Sequence, residues 1–177
     1  MKKPFRFIAM VSSAVVLVGG IAYTADQTIS GRVLKLRDRP DHPNQRRFTG
    51  SAKEKGSPNT LVGNPTAGGA TLTVFANGAN STSQAFTLPA AGWAAAGASG
   101  FKYKDSSGAF SAVKRASIKR SSSGTFTIKA IATGQNGPVS VVPPNPGTDG
   151  CVALAIGGGD TYHVLFGPGS VVKNKGA

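Results

Sequence analysis

The feature that most constrains this chain is a series of short segments in which apolar and polar residues alternate. Residues 71–75 and 126–132 alternate in this way, and 101–104 sets Phe101 and Tyr103 against two lysines. A period of two residues is typical of strands with one buried side and one solvent-facing side. No segment after residue 25 keeps a helical period of about 3.6 residues over ten positions. The pattern therefore predicts an all-β protein.

Turn signals separate these segments and indicate how the strands connect. Asn136-Gly137 is the strongest of them, because both residues tolerate the positive φ of hairpin turns. Lys114 falls on the apolar side of its segment, which predicts a β-bulge or a strand end there. About 8–10 short strands separated by turns predict an antiparallel β-sandwich. The candidate strands are 29–36, 46–52, 71–75, 84–88, 101–104, 110–118, 126–132, 139–142, 152–156 and 162–166.

Residues 1–25 are predicted to be a cleaved signal peptide with a helical apolar core. Three basic residues precede an apolar stretch over 7–22, which is shorter than the roughly 20 residues that span a membrane. Ala22-Tyr23-Thr24 fits the small-x-small pattern, so cleavage is expected after Thr24 or Ala25. A retained N-terminal anchor helix is the alternative interpretation.

Export divides the chain into a leader, a β-sandwich domain over 26–170 and a flexible tail over 171–177. We expect the mature form to be secreted, extracellular or at the cell surface, with the periplasm also possible. The whole chain carries 20 Lys and Arg against 7 Asp and Glu, a net charge of +13. The leader holds three of those positive charges and no acidic residue, which leaves +10 on the mature form.

That positive charge is gathered in two clusters. The first comprises Arg32, Lys35, Arg37, Arg39, Arg46 and Arg47, with Lys53 and Lys55 at its end; the second comprises Lys102, Lys104, Lys114, Arg115, Lys119 and Arg120, with Lys129 beyond it. The first six residues of each cluster are the candidate polyanion-binding residues.

Basic strand faces attract polyanions through counterion release and long-range steering. Acidic polysaccharide, lipopolysaccharide and extracellular DNA are the candidate partners. The alternative is a solvated surface that only keeps the protein in solution. Phe101 and Tyr103 also have the spacing of stacking platforms for bases, although the same spacing fits core packing.

Catalytic and metal-binding patterns are not predicted. The single cysteine, Cys151, excludes an internal disulfide framework and is interpreted as a small buried thiol or as one half of an intermolecular disulfide. His42 lies in an arginine-rich loop whose acids are expected to pair with the arginines rather than with a cation. His163 is expected on the outer side of a strand, without an orienting partner for catalysis. No enzyme activity, metal or cofactor is expected.

Four strings occur in a fixed order along the chain, at 71–75, 85–93, 100–105 and 162–167. This series resembles an uncharacterised β-rich domain of secreted proteins from deltaproteobacteria and related environmental bacteria, over roughly residues 30–167. The resemblance implies a secreted, non-catalytic module and supplies no site residues. Members of that family tend to carry cysteines in the later strands, one of them just after the tyrosine, where this chain has His163.

These observations favour an exported, non-enzymatic structural or adhesive module with a basic face for polyanions. Two alternatives remain at this point. One is a self-assembling subunit of an extracellular fibre or surface layer, in which the segment before Ile29 adds to a neighbouring sheet. The other is a secreted hydrolase with an unrecognised site.

Overall fold

The computed structural model describes residues 24–142 and 147–167, and this part of the chain is all-β. The predicted leader up to residue 23 and the predicted tail lie outside the described residues. The ten strands are β1 Asp26–Arg37, β2 Arg47–Glu54, β3 Ala70–Gly78, β4 Thr82–Leu88, β5 Trp93–Ala95, β6 Gly100–Lys104, β7 Val113–Arg120, β8 Phe126–Thr133, β9 Gly147–Ile156 and β10 Thr161–Phe166. One helical turn, α1 Pro65–Gly68, and two 3-10 turns, Pro43–Gln45 and Ala90–Gly92, lie between them.

The strands form a single mixed sheet in the order β4-β3-β9-β10-β1-β2-β8-β7-β6-β5. Neighbouring strands are antiparallel except β1 and β10, which run parallel. Strand β1 serves two neighbours: Asp26–Ser30 pair with β10, and Gly31–Arg37 pair with β2. The N-terminal segment that was expected to be free for strand addition is therefore paired within its own chain.

Strand β1 changes register between Gly31 and Val33, where it passes from one neighbour to the other. A Cβ atom at Gly31 would lie 2.4 Å from Cδ1 of Phe166, so the close approach of β10 requires glycine at this position. An irregularity of this kind bends a strand and increases its twist. Because β1 passes from β10 to β2 at this irregularity, it joins the strands on its two sides into one sheet.

The two edge strands, β4 and β5, follow each other in the chain and lie close together. The indole N–H of Trp93 donates to the carbonyl of Leu88 at 3.3 Å, and the Trp93 and Tyr103 rings have centroids 5.5 Å apart. The short link between the edges nearly closes the sheet into a barrel. The antiparallel sandwich expected from the sequence is thus corrected to one mixed, nearly closed, barrel-like sheet.

The barrel interior is filled by the apolar side of the strands. One interior row runs Tyr103, Ala116, Ala130, Gly50 and Leu34 across five strands. The small residues in the middle of this row leave space for large neighbours; a Cβ at Gly50 would lie 2.8 Å from the ring of Phe48. Close packing of this kind leaves no space inside the barrel for the Lys and Arg side chains of these strands.

The outer edge of β4 is covered by residues 138–142. Gln84 accepts hydrogen bonds from the backbone N–H groups of Ser140 at 2.8 Å and Val141 at 3.3 Å, and Thr82 accepts from Val142 at 3.2 Å. The backbone N–H groups of this segment therefore bond to side chains and form no backbone ladder with β4. The prediction of a strand over 139–142 is therefore wrong, although Val139 and Val141 are buried as a strand pattern requires.

Two further sequence predictions concern β7. The bulge at Lys114 is confirmed, because the β7–β8 register shifts between Val113 and Arg115. The predicted start at Phe110 is wrong, since the strand begins at Val113 and the Phe110 side chain is exposed in the preceding loop.

Candidate polyanion-binding face

The order of the strands brings the two basic clusters onto one surface. Most of the first cluster lies on β1 and β2 and the second lies on β6, β7 and β8, and these five strands are adjacent in the sheet. We call the outward side of these strands the cationic face. Its nine exposed cations are Lys35, Arg37, Arg47, Lys53, Lys102, Lys104, Arg115, Lys119 and Lys129.

Strand register places these cations in rows across the sheet. Lys104 lies opposite Arg115, and Arg37 lies opposite Arg47. Adjacent strands are about 4.8 Å apart, so each of these pairs sets two positive groups side by side. Two more rows join the clusters: Lys102, Ser117, Lys129 and Ser51 in one, and Lys119, Thr127 and Lys53 in the other. The face is therefore an array of cations and hydroxyl groups, interrupted by the partly buried Ile131 between Arg115 and Thr49.

The acidic residues lie away from this array. Asp38 pairs with Arg46 at 2.7 Å, Glu54 bonds to Ser57, and Asp160 is buried. Asp26 lies at the start of β1, where that strand pairs with β10, Asp149 lies on β9, and Asp41 lies in the loop after β1. Over residues 24–142 and 147–167, Arg46 is the one Lys or Arg with a carboxylate oxygen within 4.0 Å. The charge of the cationic face is thus uncompensated by the described chain.

Asp105 shows how an acid next to the face is kept from neutralising it. It follows Lys104 directly but is 4% exposed, and its carboxylate accepts backbone N–H groups of Ala109 at 3.0 Å, Phe110 at 2.8 Å and Ser111 at 2.9 Å. Burial alone would raise the pKa of Asp105, but these hydrogen bonds outweigh it and hold the pKa below its ordinary value. The negative charge of Asp105 therefore interacts with the backbone N–H groups of its own loop and not with the lysines and arginines of the face.

Five of the twelve predicted binding residues lie off the regular rows. Arg46 is engaged by Asp38, and the Nε–H of Arg120 donates to the carbonyl of Asn59 at 2.9 Å. Lys114 is half-buried at the bulge, Arg39 is half-buried in a loop, and Arg32 is exposed at the irregularity of β1.

Lys53 and Lys129 were left out of the predicted binding set but belong to the face. Both are exposed, and Lys129 lies at its centre on β8, between Ser51 and Ser117. Their alternation with buried neighbours in β2 and β8 is the sequence signal that identifies them.

The proposed stacking role of the aromatic residues is not supported by their placement. Tyr103 is 1% exposed and points into the barrel, and Phe101 is partly buried against the core. Burial, together with the charge of Asp105, raises the pKa of Tyr103 to about 12. The alternation that puts Lys102 and Lys104 outside and the aromatic rings inside is confirmed.

The opposite side of the barrel carries no Lys or Arg. We call strands β3, β4, β9 and β10 the cation-free half. On its outer surface Cys151 lies between Phe75 and Leu165, which are 39% and 49% exposed. Cys151 is half-buried, and burial raises the pKa of its thiol. A fully buried thiol is thus not what the structure shows.

Histidine and metal chemistry find little support in the geometry. His163 lies on the outer side of β10, as expected, with its Nε2 atom 3.4 Å from a carboxylate oxygen of Asp26, and His42 is exposed. Among the described residues no three His, Cys, Asp or Glu side chains lie together as metal ligands. In the same part of the chain, no helix is long and apolar enough to cross a membrane.

Comparisons of the chain with protein-family models, curated proteins and solved structures find no match. The resemblance drawn from the four sequence strings stays a prediction.

Proposed function

We propose that the chain is an exported, non-enzymatic structural or adhesive module that binds polyanions through the cationic face. One observation carries the proposal: nine exposed cations from two distant parts of the sequence share one surface with no carboxylate among them. Like charges opposite each other on neighbouring strands destabilise a sheet. A bound polyanion neutralises them and releases the counterions that both partners had condensed.

The residues between the cations favour an acidic polysaccharide, including the sugar chains of lipopolysaccharide. Thr49, Ser51, Ser117 and Thr127 offer hydroxyl groups on the same outward side. Stacking on unpaired bases requires exposed aromatic rings, and the face presents none among the described residues. Duplex DNA would be held by its phosphates alone, without reading of its sequence.

The predicted export of the chain also favours a polyanion outside the cytoplasm as the partner. The basic start, short apolar stretch and small-x-small pattern of residues 1–25 favour a cleaved signal peptide. A mature form with a net charge of +10 would meet anionic polysaccharides outside the cytoplasm. We therefore place the module at the cell surface or in the extracellular space.

The test is binding of the exported protein to heparin, lipopolysaccharide, duplex DNA and neutral dextran at several salt concentrations. We expect binding to the anionic chains, weakening as salt rises, and none to dextran. Lys129→Gln removes one charge from the centre of the face and should lower the slope of log K against log salt by about 0.7–0.9.

The matched control is Thr87→Glu, which lowers the net charge by the same one unit on the outer side of β4, in the cation-free half. It should leave affinity close to that of the unmodified protein. Equal losses in the two variants would show that net charge, not the face, governs binding. Salt-independent failure to bind all three polyanions would overturn the proposal.

A further inference from the structure

The N-terminal end of β1 is fixed by a buried carboxylate from the far end of the chain. Asp160, in the turn between β9 and β10, is 3% exposed and accepts the backbone N–H of Ala25 at 2.9 Å. Its second oxygen accepts the side-chain N–H of Gln27. The carbonyl of Ala25 accepts the N–H of Thr161 at 3.0 Å. Ala25 is thus held on both sides, 135 residues from its partner in the sequence.

The donors that reach Asp160 are neutral amides. Among the described residues, no Lys, Arg or His nitrogen lies within 4.0 Å of its carboxylate. Removing an ionised carboxylate from water is costly unless a positive charge compensates it. A positive group in place of the Ala25 amide would supply that compensation without moving any atom of the fold.

We propose that the chain is processed between Thr24 and Ala25, and that the new α-ammonium group of Ala25 forms a partly buried ion pair with Asp160. The proposal rests on the export part of the proposed function. An exported chain meets a processing peptidase, which hydrolyses the Thr24–Ala25 peptide bond. Water supplies the hydroxyl of the Thr24 carboxyl group and a proton for the Ala25 amine, which is protonated near neutral pH.

The sequence pattern and the hydrogen bonds of Ala25 both favour cleavage at the Thr24–Ala25 peptide bond. Thr24 and Ala22 are the small residues at the last and third-last positions before it, as processing peptidases require. Cleavage after Ala25, the other position that the sequence allows, would place the larger Tyr23 third from the cut. It would also remove both hydrogen bonds of Ala25 with the turn and with β10. Only cleavage after Thr24 keeps these contacts and adds a charge to them.

Processing would therefore strengthen the parallel pairing of β1 with β10. In the precursor, the neutral amide N–H of Ala25 donates to the Asp160 carboxylate. In the processed chain the donor itself carries a positive charge, which adds Coulombic attraction to the hydrogen bond. The sheet would reach its full stability only after removal of the leader.

The first experiment is mass spectrometry of the N-terminus of the protein exported from the full-length gene. A terminus at Ala25 is expected. A terminus at Asp26 or at any other residue, with the leader removed, would overturn this inference and leave export intact. Recovery of the chain only inside the cell, with its leader still attached, would overturn both this inference and the export part of the proposed function.

The second experiment measures thermal unfolding of the exported protein from pH 7 to pH 9.5. An α-amino group ordinarily has a pKa of about 7.7–8.0, and an adjacent carboxylate raises it in the folded state. The stabilisation is then complete below the ordinary value and is lost as the pH rises through the raised one. We expect the melting temperature to fall by about 3 °C from this pair alone.

Two variants isolate the pair from the other titratable groups around it, which are Asp26 on β1 and Tyr162 and His163 on β10. Asp160→Asn removes the carboxylate, and insertion of Gly-Ser between Thr24 and Ala25 moves the ammonium group away while leaving Asp160 in place. Both should lack the extra fall in melting temperature. If either folded variant shows the same fall as the unmodified protein, the ion pair is excluded.

Discussion

Lys104 on β6 lies directly opposite Arg115 on β7, and both side chains are exposed on the cationic face. Opposite charges in such a cross-strand position contribute roughly 0.2–1 kcal/mol, whereas like charges destabilise the sheet. The fold therefore keeps an arrangement that lowers its own stability. The proposed binding of polyanions at this surface would account for such an arrangement.

Lys104→Glu should change stability and binding in opposite directions. The new carboxylate faces Arg115, so we expect the free energy of unfolding to rise by about 0.5 kcal/mol at low salt and less at high salt. Affinity for an acidic polysaccharide should fall. Denaturant unfolding and binding titrations at matched ionic strength measure the two effects.

Lys55→Glu provides the comparison, because Lys55 follows the last β2–β8 ladder pair, Glu54 with Phe126, and has no partner directly across. It should give little gain in stability. A Lys104→Glu variant that is less stable than the unmodified protein at low salt would contradict the assignment of a repulsive pair.

Much of the local structure could be predicted from the alternation of residue types. The inward Tyr103 and outward Lys104 follow from a period of two, and the misplaced Lys114 correctly signals a bulge. The same reasoning fails at Val139 and Val141. Their alternation is that of a strand, but the backbone N–H groups of Ser140 and Val141 donate to the Gln84 side chain and not to a neighbouring strand. No local sequence pattern encodes such a contact.

The cationic face itself was only partly predictable. Each basic cluster is visible in the sequence, but their union requires β2 to pair with β8 across more than 70 residues. Pairing of Asp26–Ser30 with β10 is equally non-local, and it is also what makes the sheet mixed. Long-range register depends on packing of the whole core, so the sequence clusters alone could not show that they share one surface.

Asp105→Asn should destabilise the protein by about 2 kcal/mol at pH 7, because three backbone N–H groups lose a charged acceptor. The folded-state pKa of Asp105 is lowered, so its contribution is present above the ordinary value of about 3.9 and is lost as the pH falls through the lowered one.

Denaturant unfolding at pH 7 and pH 3 checks this sign. The difference in the free energy of unfolding between the unmodified protein and the Asp105→Asn variant should be smaller at pH 3 than at pH 7. Asp41→Asn, the same change at an exposed loop position, should have little effect at either pH. A difference for Asp105→Asn that does not change with pH would show that its charge is not what holds the loop.

Gly92→Ala should disturb the point where the barrel edges meet. An added Cβ would lie 2.2 Å from Cε2 of Tyr103, whose ring also packs on Trp93. We expect a loss of about 1–3 kcal/mol from overpacking, seen as a lower melting temperature and a changed tryptophan fluorescence. Gly167→Ala, where an added Cβ meets open space, is the control and should unfold like the unmodified protein. Equal melting temperatures for the two variants would contradict this packing.

Lysine footprinting can show whether the two separate basic clusters act together as one binding face. The protein is carbethoxylated with diethyl pyrocarbonate, which modifies both lysine and histidine, with and without saturating acidic polysaccharide, and each modified residue is quantified by mass spectrometry. Modification of His163, in the cation-free half, serves as the internal reference. We predict protection of lysines from both clusters together, Lys35 and Lys53 as well as Lys102, Lys104, Lys119 and Lys129, with His163 unchanged. Protection confined to one cluster, or equal protection of His163, would contradict the account.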